Sequence, residues 1–240
     1  MKNYNAPENL TTRRILLMAS ATALTVAYVV ALPQPAHADR VTPPPVPTNI
    51  QVPEGNKAFL VGHAVGTQNY ICLPCPNPIT PTAVCPASGF AFTLFTPQAT
   101  LFANNDKQVT THFFSPNLSP IIPSPFPPND ENGTIRATWQ HSRDTSTVWA
   151  KLTATAPAPP PPPGQPPAIP WLLLPVVGAQ DGPTGGHTLT ATTFIQRLNT
   201  FGGVAPSTGC NLLEDIGHQA FVPYKADYFF YKKIDEGDDN

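Results

Sequence analysis

Segments rich in Val, Thr, Phe, Tyr and Trp recur along the chain, and in several of them apolar and polar positions alternate. Phe90, Phe92 and Leu94 would share one face of a strand, and every second residue from 222 to 230 would share a face of another. Such alternation is typical of strands with one buried face. The pattern predicts strands near 57–65, 67–72, 89–96, 98–103, 108–114, 134–139, 145–152, 171–177, 188–198 and 220–232.

The chain has 33 prolines, many of them in runs at 41–47, 115–128 and 156–170. Proline removes a backbone donor and favours polyproline II, so we expect loops there and no long helix. The most helix-like segment is Thr192–Thr200, which could equally be a strand. Asn104, Asn105 and Asp106 suit a tight hairpin. The sequence therefore predicts an all-β, mainly antiparallel fold: a sandwich or barrel-like single domain with long Pro-rich loops and at most one short helix.

The N-terminus has the order of a signal peptide. Arg13 and Arg14 precede an uncharged apolar stretch, and residues 36–38 (Ala-His-Ala) supply the small-x-small pattern of a cleavage site. We therefore expect residues 1–38 to be cleaved off. The alternative is an uncleaved anchor, because the apolar stretch is just long enough to span a bilayer. Residues 12–17 also resemble a twin-arginine signal, which would mean export after folding.

Cleavage would leave residues 39–240, which are enough for one sizeable core, so we expect a single β-rich domain with no membrane span. Within it, 156–168 would form a projecting Pro-rich loop and 234–240 a solvated acidic tail. Only 12% of the chain is charged, its net charge is −2, and no basic run follows the signal peptide. Such a chain does not attract phosphate backbones, which excludes nucleic acid as a partner.

The four cysteines are Cys72, Cys75, Cys85 and Cys210. An even count in an oxidising compartment indicates two disulfides, and three pairings are possible. We expect Cys75–Cys85 and Cys72–Cys210. A redox Cys-x-x-Cys motif at 72–75 is the alternative, but it would need a helix N-terminus, whereas prolines follow here. No second cysteine pair or spaced histidine pair completes a zinc site.

The densest polar and aromatic cluster is the run 139–149, WQHSRDTSTVW. Pairing of this strand with the run THFF would bring His112 near Trp139. The candidate ligand-binding residues are therefore His112, Trp139, His141 and Asp144, because an indole can stack on a sugar while His and Asp hold its hydroxyls. The alternative is structural: Trp139 fills the core and Asp144 caps a turn. The sequence has no recognised catalytic or nucleotide-binding motif, so we assign no catalytic residue, metal or cofactor.

Several strings resemble the secreted domain of unknown function 3455 family. The matching strings are VPEGNKAFLVGHAVGTQNYIC (52–72), TLFTPQATLF (93–102), THFFSPN (111–117), ATWQHSRDTSTVWAK (137–151), AIPWLLLPVVGAQDGPTGG (168–186), TTFIQRLNTFGGVAPSTGC (192–210) and VPYKADYFFYKK (222–233). They cover nearly all of the chain after residue 38. The resemblance implies an exported β-rich domain, and it carries over no activity and no catalytic residue.

These observations favour a periplasmic or secreted protein that acts as a binding or structural module of the cell envelope. Its partner would be an envelope glycan or another exported protein. The alternative is a hydrolase-like or metal-assisted enzyme whose groups come from several strands, with His112, His141 and Asp144 as candidates. Convergence of these three side chains in one pocket would favour the enzyme.

Overall fold

Antiparallel strands form most of the structure in the computed structural model, which describes residues 41–75, 86–121 and 131–234. Helical structure in those ranges is limited to two short 3₁₀ turns, Thr48–Ile50 and Leu213–Asp215. None of it has the length and apolar character that a bilayer-spanning helix needs. The strands are β1 (Asn56–Pro74), β2 (Phe90–Phe102), β3 (Gln108–Pro116), β4 (Ile135–His141), β5 (Thr147–Ala150), β6 (Ala154–Ala156), β7 (Trp171–Gln180), β8 (Thr192–Gly202) and β9 (Gln219–Lys233).

One sheet contains all nine strands, in the order β5-β4-β3-β2-β1-β9-β8-β7-β6. β5 also pairs with β7, which closes eight strands into an antiparallel barrel. β6 pairs with the first half of β7 and β5 pairs with the second half, so the two short strands lie one after the other beside β7. The all-β prediction is confirmed, and of its two architectures the chain adopts the barrel.

Several predicted strand boundaries are wrong. The segments 57–65 and 67–72 form the single strand β1, and 89–96 and 98–103 form the single strand β2. Gly66 does not break β1: it lets the partner strand approach, since a Cβ there would lie 2.1 Å from the Gln98 carbonyl oxygen. Pro97 is accommodated opposite Gln68, next to a bulge in the β1–β2 pairing.

The strand predictions differ from the structure in three further ways. β6 was not predicted, and the ends of several other strands are shifted by a few residues. The predicted strand 188–198 starts only at Thr192, because residues 188–191 form a turn. Its helix-like part is strand β8, since the packing of both faces overrides the weak helical spacing.

The barrel interior is filled by alternate residues of the strands. On β9 the predicted alternation is present: Tyr224, Ala226, Tyr228 and Phe230 are all buried in the same cluster. That cluster also contains Leu101, Trp139, Val148, Ile169, Leu174, Val176, Leu189 and Ile195. The large aromatic side chains of β4 and β9 therefore meet in the middle of the barrel.

A second apolar cluster covers the outer face of β7, β8 and β9. The N-terminal segment crosses this face, where Ile50 packs with Trp171 and Phe229. Gln196 fixes the segment, because its Nε2 donates to the Ile50 carbonyl at 2.6 Å and its Oε1 accepts from the Tyr231 hydroxyl. The prolines before Ile50 therefore belong to a packed strap.

The predicted disulfide Cys72–Cys210 is confirmed and joins the end of β1 to the segment before β9. It closes a loop of 138 residues, the kind of cross-link that strongly restricts an unfolded chain. No described cysteine is a free thiol. Residues 1–38, Cys85 and residues 235–240 lie outside the described residues, so the signal peptide, the Cys75–Cys85 bridge and the acidic tail stay predictions.

Candidate functional site

The structure divides the four predicted site residues into two pairs. His112 on β3 and Trp139 on β4 are register partners in the barrel. His141 is the last residue of β4 and Asp144 lies in the turn that follows, and their side chains are 2.8 Å apart between Nδ1 and Oδ1. The two pairs have different surroundings.

Asp144 is the centre of a hydrogen-bonded group, the turn cluster, made of His141, Asp144, Ser146 and Thr188. Its Oδ1 accepts from the Ser146 amide at 3.0 Å and from the Ser146 hydroxyl at 2.7 Å. Its Oδ2 accepts from the Thr188 amide at 3.0 Å and from the Thr188 hydroxyl at 2.6 Å. Burial alone would raise the pKa of Asp144, but these bonds outweigh it and hold the pKa well below its usual range.

The turn cluster contains Ser, His and Asp but not their catalytic arrangement. In a catalytic triad the serine hydroxyl donates to the histidine, whereas Ser146 donates to the Asp144 carboxylate and its oxygen accepts from the Leu189 amide at 3.1 Å. Two glycines of the β7–β8 loop are close to Asp144, and a Cβ on Gly186 would lie 2.2 Å from the Asp144 Cβ. The cluster therefore ties two loops together across one end of the barrel.

His112 and Trp139 form an aromatic stack inside the barrel. Their ring centroids are 4.1 Å apart with planes within 8°, and Tyr228 packs edge-on against the indole at 5.4 Å. The His112 Nδ1 donates to the Thr138 carbonyl at 2.9 Å, which leaves the lone pair on Nε2. Burial lowers the pKa of His112 to about 3, so the imidazole is neutral at physiological pH.

An interior cavity of about 200 Å³ lies beside this stack. It reaches the start of β4 and the end of β5, at the opposite end of these strands from the turn cluster. Ile135 and Leu152 on its wall are 55% and 50% exposed and mark its solvent side. The described residues that line it are Gln68, Leu94, Pro97, His112, Phe114, Ile135, Arg136, Ala137, Trp139, Ala150, Lys151, Leu152, Leu172, Leu174, Arg197 and Tyr228.

The charged groups on the cavity wall are Arg136, Lys151 and Arg197. Arg136 forms a two-pronged ion pair with the fully buried Glu131, with both N–O distances at 2.8 Å. Lys151 Nζ lies 3.8 Å from the same carboxylate. No acidic side chain is among the described residues that line the cavity, so its wall carries a net positive charge.

Sequence reasoning missed Gln68, Tyr228 and Arg197. Each lies in the middle of a strand, far along the chain from the run 139–149. The available signal is a polar residue in phase with apolar neighbours: Gln68 is in phase with Ala64, and Arg197 with Ile195. A polar side chain at such a position faces the interior and needs a partner there.

No three His, Cys, Asp or Glu side chains in 41–75, 86–121 and 131–234 lie close enough together to hold a metal ion. The arrangement that most resembles a set of metal ligands is a pair outside the cavity, in which His63 Nδ1 lies 2.7 Å from Asp227 Oδ1. The amide oxygen of Asn104 is 2.7 Å from the other ring nitrogen, and Asn199 bonds the second carboxylate oxygen at 2.8 Å. Each of these contacts is an internal hydrogen bond.

The model of a family described as "Protein of unknown function (DUF3455)" matches residues 53–232. The chain belongs to this family. The match runs from just before β1 to the end of β9, so the family domain corresponds to the whole barrel and includes both the turn cluster and the interior cavity. No curated protein and no solved structure matches the chain.

Proposed function

We propose that this DUF3455 protein is exported and binds a small polar molecule inside its barrel. The observation that carries the proposal is the interior cavity of about 200 Å³ beside the His112–Trp139 stack. A concave, mostly apolar space with a few convergent polar groups is the usual form of a small-ligand site. Besides Arg136 and Lys151, which contact Glu131, the polar groups of this cavity include Gln68, Arg197 and the neutral His112.

Two features of the chain support export, one in its first residues and one in its disulfide. The first 38 residues have the sequence of a cleavable signal. The Cys72–Cys210 disulfide fits an oxidising compartment such as the periplasm or the cell exterior. A binding protein of the cell envelope combines these two features.

The size and depth of the cavity favour a small molecule over a glycan chain. Its volume is below the range of about 300–1,000 Å³ that drug-sized ligands occupy. Trp139 is fully buried and one face of its indole is covered by His112, so it is no exposed platform for a polysaccharide. A sugar could stack there only as a single small unit that enters the barrel.

The enzyme alternative has less support. His141 and Asp144 contact each other, but His112 belongs to the interior stack and its Nδ1 is bonded to the backbone. The Asp144 oxygens are occupied by Ser146 and Thr188, so the carboxylate is already committed within the fold. Convergence of His112, His141 and Asp144 in one pocket would favour catalysis, and these contacts give that arrangement little support.

Filling the cavity tests the proposed function. Ala150 is buried on the cavity wall, and Ala150→Leu would place extra methyl groups in the empty space. We expect this variant to stay folded and to lose binding of small molecules that raise the melting temperature of the parent protein. Ala220→Leu, on β9 and off the cavity wall, is the control and should keep binding. Equal binding by both variants would place the ligand elsewhere.

A further inference from the structure

Arg197 is a buried cation on the wall of the interior cavity. It is 8% exposed, and its Nε and Nη2 donate to the Pro170 carbonyl at 3.2 and 2.8 Å. None of the carboxylates within the described ranges pairs with it. A buried arginine is normally matched by an anion, because an uncompensated charge inside a protein is costly.

The charge of Arg197 affects the pKa of several buried tyrosines. Burial raises the pKa of Tyr70, Tyr224 and Tyr228, and the positive charge of Arg197 opposes that rise in each of them. The neutral His112 beside it supplies no compensating charge. The interior therefore holds a positive potential that the protein's own described groups leave in place.

Arg136 on the same wall shows the contrast. Its guanidinium is held by both oxygens of Glu131, a geometry that satisfies charge and hydrogen bonding together. Among the described residues the protein thus supplies a carboxylate for Arg136, whereas Arg197 contacts only neutral groups, the Pro170 carbonyl and the Tyr228 hydroxyl. Arg197 therefore lines the cavity without a carboxylate partner among the described residues.

Two further residues that line the cavity carry buried donors with no partner among the described residues. The Nε1–H of Trp139 makes no hydrogen bond, and its side chain is fully buried. The Nε2 of Gln68, 2% exposed as a residue, lies near the Tyr224 hydroxyl but makes no hydrogen bond with good geometry. Buried donors without acceptors are rare, and one carboxylate offers about four lone-pair positions.

From these contacts we infer that the ligand of the cavity is a small organic acid whose carboxylate pairs with Arg197 and accepts from Trp139 and Gln68. The rest of the ligand is apolar, because Leu94, Phe114 and Leu174 form much of the remaining wall. This inference rests on the proposed binding function. A cavity of about 150 Å³ is large enough for benzene, so a single ring with a carboxylate is a reasonable size here.

Matched acids and amides test the inference. Benzoate and butyrate have the neutral isosteres benzamide and butyramide, and calorimetry on the purified protein compares each pair. We expect each acid to bind about tenfold or more tighter than its amide, the value of one charge-assisted hydrogen bond. Equal affinity for acid and amide would overturn the carboxylate assignment while leaving a binding cavity in place.

Two variants and one control locate the charge that makes the difference. Arg197→Gln should remove the preference for the acid, and Arg197→Lys should keep part of it. Arg143→Gln removes the same charge from an exposed turn position and should change nothing. If Arg197→Gln does not fold, Trp139→Phe still tests the site, since it removes one donor and should weaken the acid more than the amide. An acid preference that survives these changes, or failure of every probe to bind the parent protein, would refute the inference, and the latter would also count against the proposed function.

Discussion

The turn cluster and the interior cavity lie at opposite ends of β4 and β5 and treat polar groups in opposite ways. In the turn cluster, both oxygens of Asp144 are used by groups of the protein itself. At the cavity, Arg197, Trp139 and Gln68 present donors that no described acceptor fully satisfies. Both regions contain histidine and charged residues, so composition alone does not distinguish them.

The difference supports our proposal that a ligand binds at the cavity and not at the turn cluster. A polar group that is completely bonded within the protein lowers the energy of the folded state and has little capacity left for a partner. Unpaired buried donors cost stability, and their retention in a native fold calls for an explanation such as a ligand. The run 139–149, which has the densest polar and aromatic cluster in the sequence, thus contributes the turn cluster, whose polar groups are already bonded within the protein.

Removal of the Asp144 carboxylate should have the largest effect. Asp144→Ala leaves the amides and hydroxyls of Ser146 and Thr188 without their acceptor, and it frees the β7–β8 loop from the β4–β5 turn. Since each hydrogen bond to a charged group is worth about 1.5–3 kcal/mol, we expect a loss of about 3 kcal/mol or more in the free energy of unfolding. Chemical denaturation of the parent and the variant measures it.

The matched control for this variant is Asp181→Ala, at an exposed position of the β7–β8 loop. It removes the same charge without the bonds and should change stability by no more than about 0.5 kcal/mol. A similar loss for both variants would show that charge in this loop, and not the turn cluster, stabilises the barrel end.

Features that depend on residues close together in the sequence could be predicted, and features that depend on distant residues could not. The hairpin at 103–107 was readable locally, and Asp106 has the left-handed φ of 60° that its residue type tolerates. The alternation on β9 was readable for the same reason. Barrel closure by β5 and β7 was not, because it depends on the pairing of segments with the Pro-rich stretch 157–170 between them.

The candidate site shows the same limit. His112 and Trp139 were expected to be neighbours, and the structure places them opposite each other on adjacent strands. Asp144 was grouped with His141 by closeness in sequence, but Thr188, which bonds one of its oxygens, is 44 residues away. Arg197 reaches the cavity only through the closure of the barrel, so no local pattern connects it to Trp139.

The histidine at the cavity should give an intermediate effect that depends on pH. The pKa of His112 is about 3 in the folded protein against 6.5 for the ordinary side chain. Between these two pH values the unfolded chain binds a proton at this histidine and the folded chain does not. The stability that neutral His112 contributes is therefore complete above pH 6.5 and is lost as the pH falls towards 3. Between pH 7 and 5 we expect a loss of about 2 kcal/mol from this group.

His112→Phe should flatten this pH dependence, and the exposed His187→Ala should leave it unchanged. The comparison is between variants, because hydrogen bonds to Asp227 and Asn104 raise the pKa of His63 against the effect of its burial, and His63 therefore contributes with the opposite sign. Denaturation curves at several pH values give the slopes. An unchanged slope in His112→Phe would mean that His112 can be protonated in the folded protein. The surroundings of His112 would then be less apolar than the cavity wall indicates.

The smallest effect should come from Gln68, and it tests the contrast between closed and open polar groups most directly. Gln68 and Gln196 are both at most 2% exposed, but Gln196 is bonded at both ends of its amide, to Ile50 and Tyr231. Gln196→Met should therefore cost about 2–3 kcal/mol, since it leaves a buried carbonyl and a buried hydroxyl without partners. Gln68→Met removes a donor that has no hydrogen-bond partner in the described part of the chain and keeps a similar volume, so we expect a change within about 1 kcal/mol. Equal losses in the two variants would show that the Gln68 amide is bonded to Tyr224 in solution, and the cavity would then lack one of the donors that an incoming carboxylate needs.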